Sequence, residues 1–115
     1  MSVAAITERE AGLHMTIRIL AMPGREALAE LPQCNSRADR LALSFDEHYT
    51  EFMQTMTVLP ADGQLLSLQA LDSALNAISG PENLDLWTDA SFTLDPHWDH
   101  IRLLAQQVMF EFDWV

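Results

Sequence analysis

Basic residues are scarce in this chain of 115 residues, which contains no lysine and only six arginines against seventeen acidic residues. Nucleic acids and anionic membranes are bound largely through lysine and arginine, so a formal net charge of −11 argues against both kinds of partner. The scarcity is greatest after Arg40, because the next and last arginine is Arg102. Residues 41–115 therefore carry the whole net negative charge, and this asymmetry favours a cationic partner.

Long hydrophobic runs and disulfide pairs are also lacking. No apolar run approaches the roughly 18 residues that a membrane span needs. A secretory signal would place an uninterrupted apolar stretch near the N-terminus, but Glu8, Arg9 and Glu10 interrupt it. The single cysteine, Cys34, has no partner for an internal disulfide, which is typical of a reducing compartment. We therefore expect a cytoplasmic protein.

Catalytic signatures are missing as well. Glycine occurs only at positions 12, 24, 63 and 80, so there is no Gly-rich phosphate loop and no Gly-x-Ser-x-Gly elbow. Cys34 lies in the segment PQCNS, and the sequence places no histidine beside it to lower its pKa. Pairs of carboxylates are too numerous to identify a site. We therefore predict no catalytic residue, no metal ligand and no cofactor.

Apolar residues make up 49% of the chain, which is typical of a globular protein. The length fits one domain, which we place at residues 13–115, after a flexible arm at residues 1–12. Two segments alternate with period two, LHMTIRILAM at residues 13–22 and VMFEFDWV at residues 108–115. This period predicts strands with one buried face, and it puts Phe110 in the core.

Other segments predict helices. REALAEL fits a short helix that ends at Pro32, and a second helix is expected over about 45–56. An alternative for the latter is a hairpin that turns at PADG. The spacing of Leu68, Leu71, Leu75 and Ile78 predicts an amphipathic helix that stops at Gly80-Pro81.

The last third mixes both types of element. LDLWTD and SFTL suggest two short strands, and Asp95-Pro96 has the residues that begin a helix. The sequence thus predicts an α+β fold, a single small domain with a mainly antiparallel sheet packed by about three to four helices.

Residues 85–100 concentrate aspartate, tryptophan and histidine. His97 and His100 are three residues apart at a predicted helix start, with Asp95 and Asp99 nearby. Zinc needs three or four converging ligands, and an HxxH pair is a short pattern that occurs by chance. Surface histidines beside acids of a first helical turn are the simpler interpretation.

Tryptophan next to aspartate indicates a surface that binds arginine or lysine, because the ring stacks on the cation while the carboxylate neutralises it. Core packing is the alternative for these rings, and it is the better interpretation for Trp114. We predict a partner-binding face, and its residues are Asp85, Trp87, Asp89, Asp95, Trp98, Asp99, Asp46 and Glu47.

In size, acidity and mixed pattern the chain resembles the small acidic immunity proteins that neutralise bacterial toxins, although no motif carries the resemblance. The resemblance implies an inhibitor that covers the cationic cleft of a basic toxin, for example a nuclease. One alternative is a chaperone for a secreted effector, which an exposed leucine face on residues 65–79 would favour. Another is a small metal-dependent enzyme, which a cleft joining His97, His100 and further ligands would favour. The sequence leaves the partner's identity and the oligomeric state open.

Overall fold

The structure, a computed structural model, describes residues 8–31, 37–56 and 60–114. These residues form helices and contain no strand, so the predicted α+β fold with an antiparallel sheet is wrong. A 3₁₀ segment spans Pro81–Trp87. The α-helices are α1 (Glu8–Ala21), α2 (Gly24–Glu30), α3 (Arg37–Thr55), α4 (Asp62–Ala77), α5 (Asp89–Leu94) and α6 (Pro96–Glu111).

The four longer helices run antiparallel to their neighbours. α1 packs on α3 where Gly12 lies under the ring of His48. α6 packs on α1, and the side chain of Gln106 donates a hydrogen bond to the carbonyl of Ala21 over 3.1 Å. α6 also packs on α4, where the backbone at Gly63 lies against the carboxylate of Glu111. The result is an up-down-up-down arrangement in which α3, α1, α6 and α4 follow one another around the core.

The segment 13–22, which we predicted to be a strand, is the second half of α1. Leu13 and Ile17 are fully buried under both interpretations, because a spacing of four residues fits both a helix and a strand. The neighbours decide: Met15 is 58% exposed, whereas Thr16 is 4% exposed. The Thr16 hydroxyl donates to the carbonyl of Gly12, which satisfies this buried polar group within the helix.

The predicted helices are confirmed, with α3 longer than expected. The segment REALAEL forms α2, and the leucines at 68, 71 and 75 are buried on α4, which ends before Gly80. Because QLLSL belongs to α4, the alternative hairpin at PADG is wrong. Asp95 caps α6 by accepting a hydrogen bond from the backbone N–H of His97, as the Asp-Pro sequence predicts.

The 3₁₀ segment, α2 and α5 cover one end of the bundle. LDLWTD and SFTL are helical here, so the two short strands are wrong. Thr88 accepts a hydrogen bond from the backbone N–H of Ser91 and thereby starts α5, a local bond that competes with strand formation. The side chain of Arg102 stabilises this end by donating hydrogen bonds to the backbone carbonyls of Met22 and Phe92.

The C-terminal segment is a helix end and not a strand. α6 continues to Glu111, and Asp113 then adopts a left-handed conformation with φ 57°. The backbone N–H of Trp114 returns to the carbonyl of Met109, a turn that folds Trp114 onto the core. Phe112 and Trp114 are 8% and 7% exposed, whereas Phe110 is 71% exposed, so its predicted burial is wrong.

Two further expectations concern the N-terminus and the membrane. α1 begins at Glu8, inside the segment 1–12 that we expected to be an arm, while residues 1–7 lie outside the described residues. No helix in the described part of the chain combines the length and the apolar character that crossing a membrane requires.

Candidate functional site

The structure gathers six of the eight predicted binding residues at the covered end of the bundle, on the 3₁₀ segment, α5 and the start of α6. Three of their carboxylates already have partners within the chain. Asp89 pairs with Arg37, Asp99 with Arg102 at 2.7 Å, and Asp95 with His97 at 2.7 Å. Much of the negative charge at this end is therefore neutralised or hydrogen-bonded internally, and Asp85 remains exposed.

The two tryptophans of this end hold it together. Trp98 is 1% exposed, so its ring does not lie at the surface, where the predicted contact with a partner needs it. Its ring lies between Trp87 and Phe92, with ring centroids 5.1 Å and 4.8 Å away. Trp87 is half-buried and donates its indole N–H to the carbonyl of Ile78 over 2.8 Å. The indole N–H of Trp87 is therefore already occupied within the chain.

The other two predicted residues, Asp46 and Glu47, lie in the middle of α3, and both are exposed. Consecutive residues point about 100° apart on a helix, so they face different neighbours. Asp46 faces α4, where it acts on the carboxylate of Asp72. Glu47 faces away from α4. The structure thus places these two acids away from the covered end and on different faces of α3.

Asp46 lies beside the boundary between α3 and α4, which we call the α3–α4 seam. α3 and α4 make at most marginal contact in the described structure, whereas the other three neighbouring pairs pack closely. Each helix presents one stripe to the seam at spacings of four, three and four residues. The stripes consist of Ala42, Asp46, Tyr49 and Met53 on α3, and of Leu65, Gln69, Asp72 and Asn76 on α4.

The centre of the seam combines an aromatic ring with two carboxylates. Tyr49 stacks on the core residue Phe45, with ring centroids 5.4 Å apart and planes 8° from parallel. Burial and then the negative charge of Asp72 raise the pKa of Tyr49. Burial and then the charge of Asp46 raise the pKa of Asp72. A cation placed here would relieve the repulsion between the two acids.

Tyr49 and Asp72 escaped the sequence analysis. The helical spacing of Asp46 and Tyr49 was visible in the sequence, because three residues separate neighbours on one helix face. The position of Asp72 opposite them was not, since it depends on how α4 packs against α6. Nothing in the local sequence encodes that contact across the bundle.

His97 and His100 lie on a shallow apolar groove between α4 and α6 with a volume of about 360 Å³. Ala74 and Ala77 from α4, with Ile78 directly after it, form the opposite wall. Across residues 8–31, 37–56 and 60–114, no group of three or more histidine, cysteine or acidic side chains is placed to hold a metal ion. The two histidines thus share a groove without a third ligand among these residues.

Cys34 lies outside the described residues. Comparison with protein-family models, with curated proteins and with solved structures found no match.

Proposed function

We propose that this protein is an acidic inhibitor that binds a basic protein, in the manner of a cytoplasmic immunity protein that neutralises a toxin. The observation that carries the proposal is the α3–α4 seam, where the partly buried ring of Tyr49 lies near two acids: the charge of Asp46 acts on Asp72, and the charge of Asp72 acts on Tyr49. No lysine or arginine occurs between Arg40 and Arg102, and the ion pairs found among the described residues do not involve Asp46 or Asp72, so a cation from another molecule would suit this seam.

The charge of the chain suits such an encounter. Opposite fields steer two proteins together and raise association rates to about 10⁸–10⁹ M⁻¹s⁻¹ at low salt. A nuclease binds its substrate through a cleft lined with lysine and arginine. An acidic module that covers this cleft competes directly with the nucleic acid. Inhibition then needs no catalytic group in the inhibitor.

The structure bears on the two alternatives. A chaperone would be favoured by an exposed leucine face on residues 65–79, but Leu68, Leu71 and Leu75 are buried, and Leu66 is exposed. A metal-dependent enzyme would be favoured by further ligands beside His97 and His100, and the described residues supply none. The acidic seam is therefore the better-supported basis for a function.

The test begins with a pull-down from the native host and with the product of the neighbouring reading frame. The captured protein is expected to be strongly basic, and the purified chain should inhibit its activity stoichiometrically. Association should slow steeply as salt rises from about 0.05 M to about 0.5 M, because screening shortens the range of the charges. A partner with a neutral or acidic surface would contradict the proposal. An association rate that does not change with salt concentration would contradict it too.

A further inference from the structure

We infer that the α3–α4 seam is a docking groove for a cationic amphipathic helix of the partner, which lies along the seam and places an arginine over Tyr49 between Asp46 and Asp72. The inference rests on the proposed function and deepens it, since it names the element of the partner that binds and where it lies. Its basis is the shape, the apolar content and the charge of the seam.

The shape of the seam fits a helix. α3 packs on α1, α1 on α6 and α6 on α4, whereas among the described residues the backbones of α3 and α4 approach each other less closely than those of the other neighbouring pairs. The α3 stripe runs from Ala42 to Met53, which corresponds to about 16 Å or three helical turns. A further helix laid into a gap between two helices packs ridges into grooves as the helices of the bundle do. An amphipathic helix is therefore the natural occupant.

The floor of the seam offers apolar surface without being sealed. Ala42, Tyr49 and Met53 pack against the core and remain partly exposed, and Leu65 on the opposite stripe is also partly exposed. Methionine and tyrosine adapt to different partner side chains, because one is flexible and the other combines an apolar ring with a hydroxyl. This surface can receive the apolar face of a helix.

The charge of the seam selects a basic occupant. Asp46 and Asp72 carry like charges on the two sides of the seam, and burial and then the charge of Asp46 raise the pKa of Asp72. An arginine between them forms hydrogen bonds with both carboxylates and stacks on the face of Tyr49. A second copy of this chain would bring its own pair of acids to the same place. Like charges therefore disfavour a dimer formed through the seam.

The test uses two synthetic peptides of about 20 residues and the full-length chain. One peptide is an amphipathic helix of leucine, alanine and arginine, and the other has the same composition in an order that gives no apolar face. Binding is followed by fluorescence anisotropy at low salt. The amphipathic peptide should bind at least about tenfold more tightly than the reordered one, because only it fills the apolar floor.

Adjacent acids on α3 provide a matched control. Asp46→Asn should weaken binding of the amphipathic peptide about tenfold, whereas Glu47→Gln removes the same charge outside the seam and should change it less than about twofold. Tyr49→Ala should weaken binding further than Tyr49→Phe, which keeps the ring for stacking. Circular dichroism checks that each variant is folded. Phe110→Gln, which removes an exposed ring from the far side of α6, should have no effect.

Each outcome decides the inference. Equal losses in Asp46→Asn and Glu47→Gln would show that only net charge matters. This result would overturn the inference that the seam is a docking groove and would leave the proposed function standing. Equal binding of the two peptides would also overturn that inference. A dimer in analytical ultracentrifugation that Asp46→Asn strengthens would assign the seam to a second copy instead. If the native partner proves to be acidic, the proposed function fails whatever the peptides do.

Discussion

The indole N–H of Trp98 donates a hydrogen bond to the backbone carbonyl of Leu86 over 2.7 Å, which joins the start of α6 to the 3₁₀ segment. Because Trp98 is also buried between Phe92 and Trp87, this contact fixes the covered end of the bundle. At this end we predicted a partner-binding face. Its largest aromatic ring, that of Trp98, is buried in the core and does not face solvent.

Removing the Trp98 ring should therefore unfold more than one element. Trp98→Ala is expected to lower the free energy of unfolding by about 3–5 kcal/mol, as large core truncations do. Trp98→Phe keeps most of the apolar volume but leaves the carbonyl of Leu86 without its donor, which costs about 1–3 kcal/mol. Urea denaturation measures both. A loss below about 1 kcal/mol for Trp98→Ala would mean that the ring is not part of the core.

Phe110 and Phe112 should respond in opposite ways to truncation. Phe112→Ala is expected to destabilise by about 3 kcal/mol, because its ring packs between Phe52 and Trp114. Phe110→Ala should change stability by less than about 1 kcal/mol, because the ring is exposed on α6. The pair is measured in one denaturant series. Similar losses in the free energy of unfolding of both variants would instead support the C-terminal strand that the sequence predicted.

The errors at both ends of the chain have one physical origin. A spacing of four residues places side chains on the same face of a helix and of a strand, so Leu13 and Ile17 fit either period. Val108 and Phe112 repeat this ambiguity near the C-terminus. Only the residues between them discriminate, and Met15 and Phe110 are large apolar side chains that the structure leaves in solvent. The β-branched and aromatic residues in the segments 13–22 and 108–115 favour strands, so a strand was predicted for each segment.

Where local chemistry decides, the sequence was sufficient. Asp95-Pro96 starts a helix because the cap and the fixed proline φ act within one turn. The charge asymmetry after Arg40 is likewise visible without a structure. The sequence does not show which acidic side chains lack an ion-pair partner, because Arg37 is distant from Asp89 in sequence and yet pairs with it. The α3–α4 seam depends on such packing and could not be predicted.

The cap of α6 should give the stability a measurable pH dependence. The hydrogen bonds from the backbone and side chain of His97 lower the pKa of Asp95 below its ordinary value of 3.8. A lowered folded pKa means that the carboxylate stabilises the fold above that ordinary value and that this contribution disappears as the pH falls through the lowered pKa. Asp95→Asn keeps a capping oxygen without the charge.

The thermal midpoints of the wild type and Asp95→Asn should therefore differ most near pH 6 and converge towards about pH 2. Asp95→Ala loses the cap at every pH and should melt below both. Differential scanning calorimetry across this range provides the measurement. A constant difference between the wild type and Asp95→Asn would show that the charge of Asp95 does not contribute.

The seam predicts the opposite pH dependence at Asp72. Burial and the charge of Asp46 raise the pKa of Asp72 above 3.8, so the ionised carboxylate costs stability at every pH above its folded pKa. This cost shrinks as the pH falls through the raised folded pKa, where only the folded state takes up the proton, and it vanishes below the ordinary value, where both states are protonated. Asp72→Asn should therefore stabilise the chain near pH 7, by less than about 1 kcal/mol since the group is largely solvated.

A double-mutant cycle isolates the repulsion that would draw a cation into the seam. Asp46→Asn removes the second negative charge, so the gain from Asp72→Asn should be smaller in that background than in the wild type. Glu47→Gln serves as the control background, in which the full gain should persist because Glu47 faces away from α4. Urea denaturation near pH 7 measures all six chains. If the gain is the same in all three backgrounds, Asp46 and Asp72 do not interact, and the electrostatic argument for an arginine at this position loses its basis.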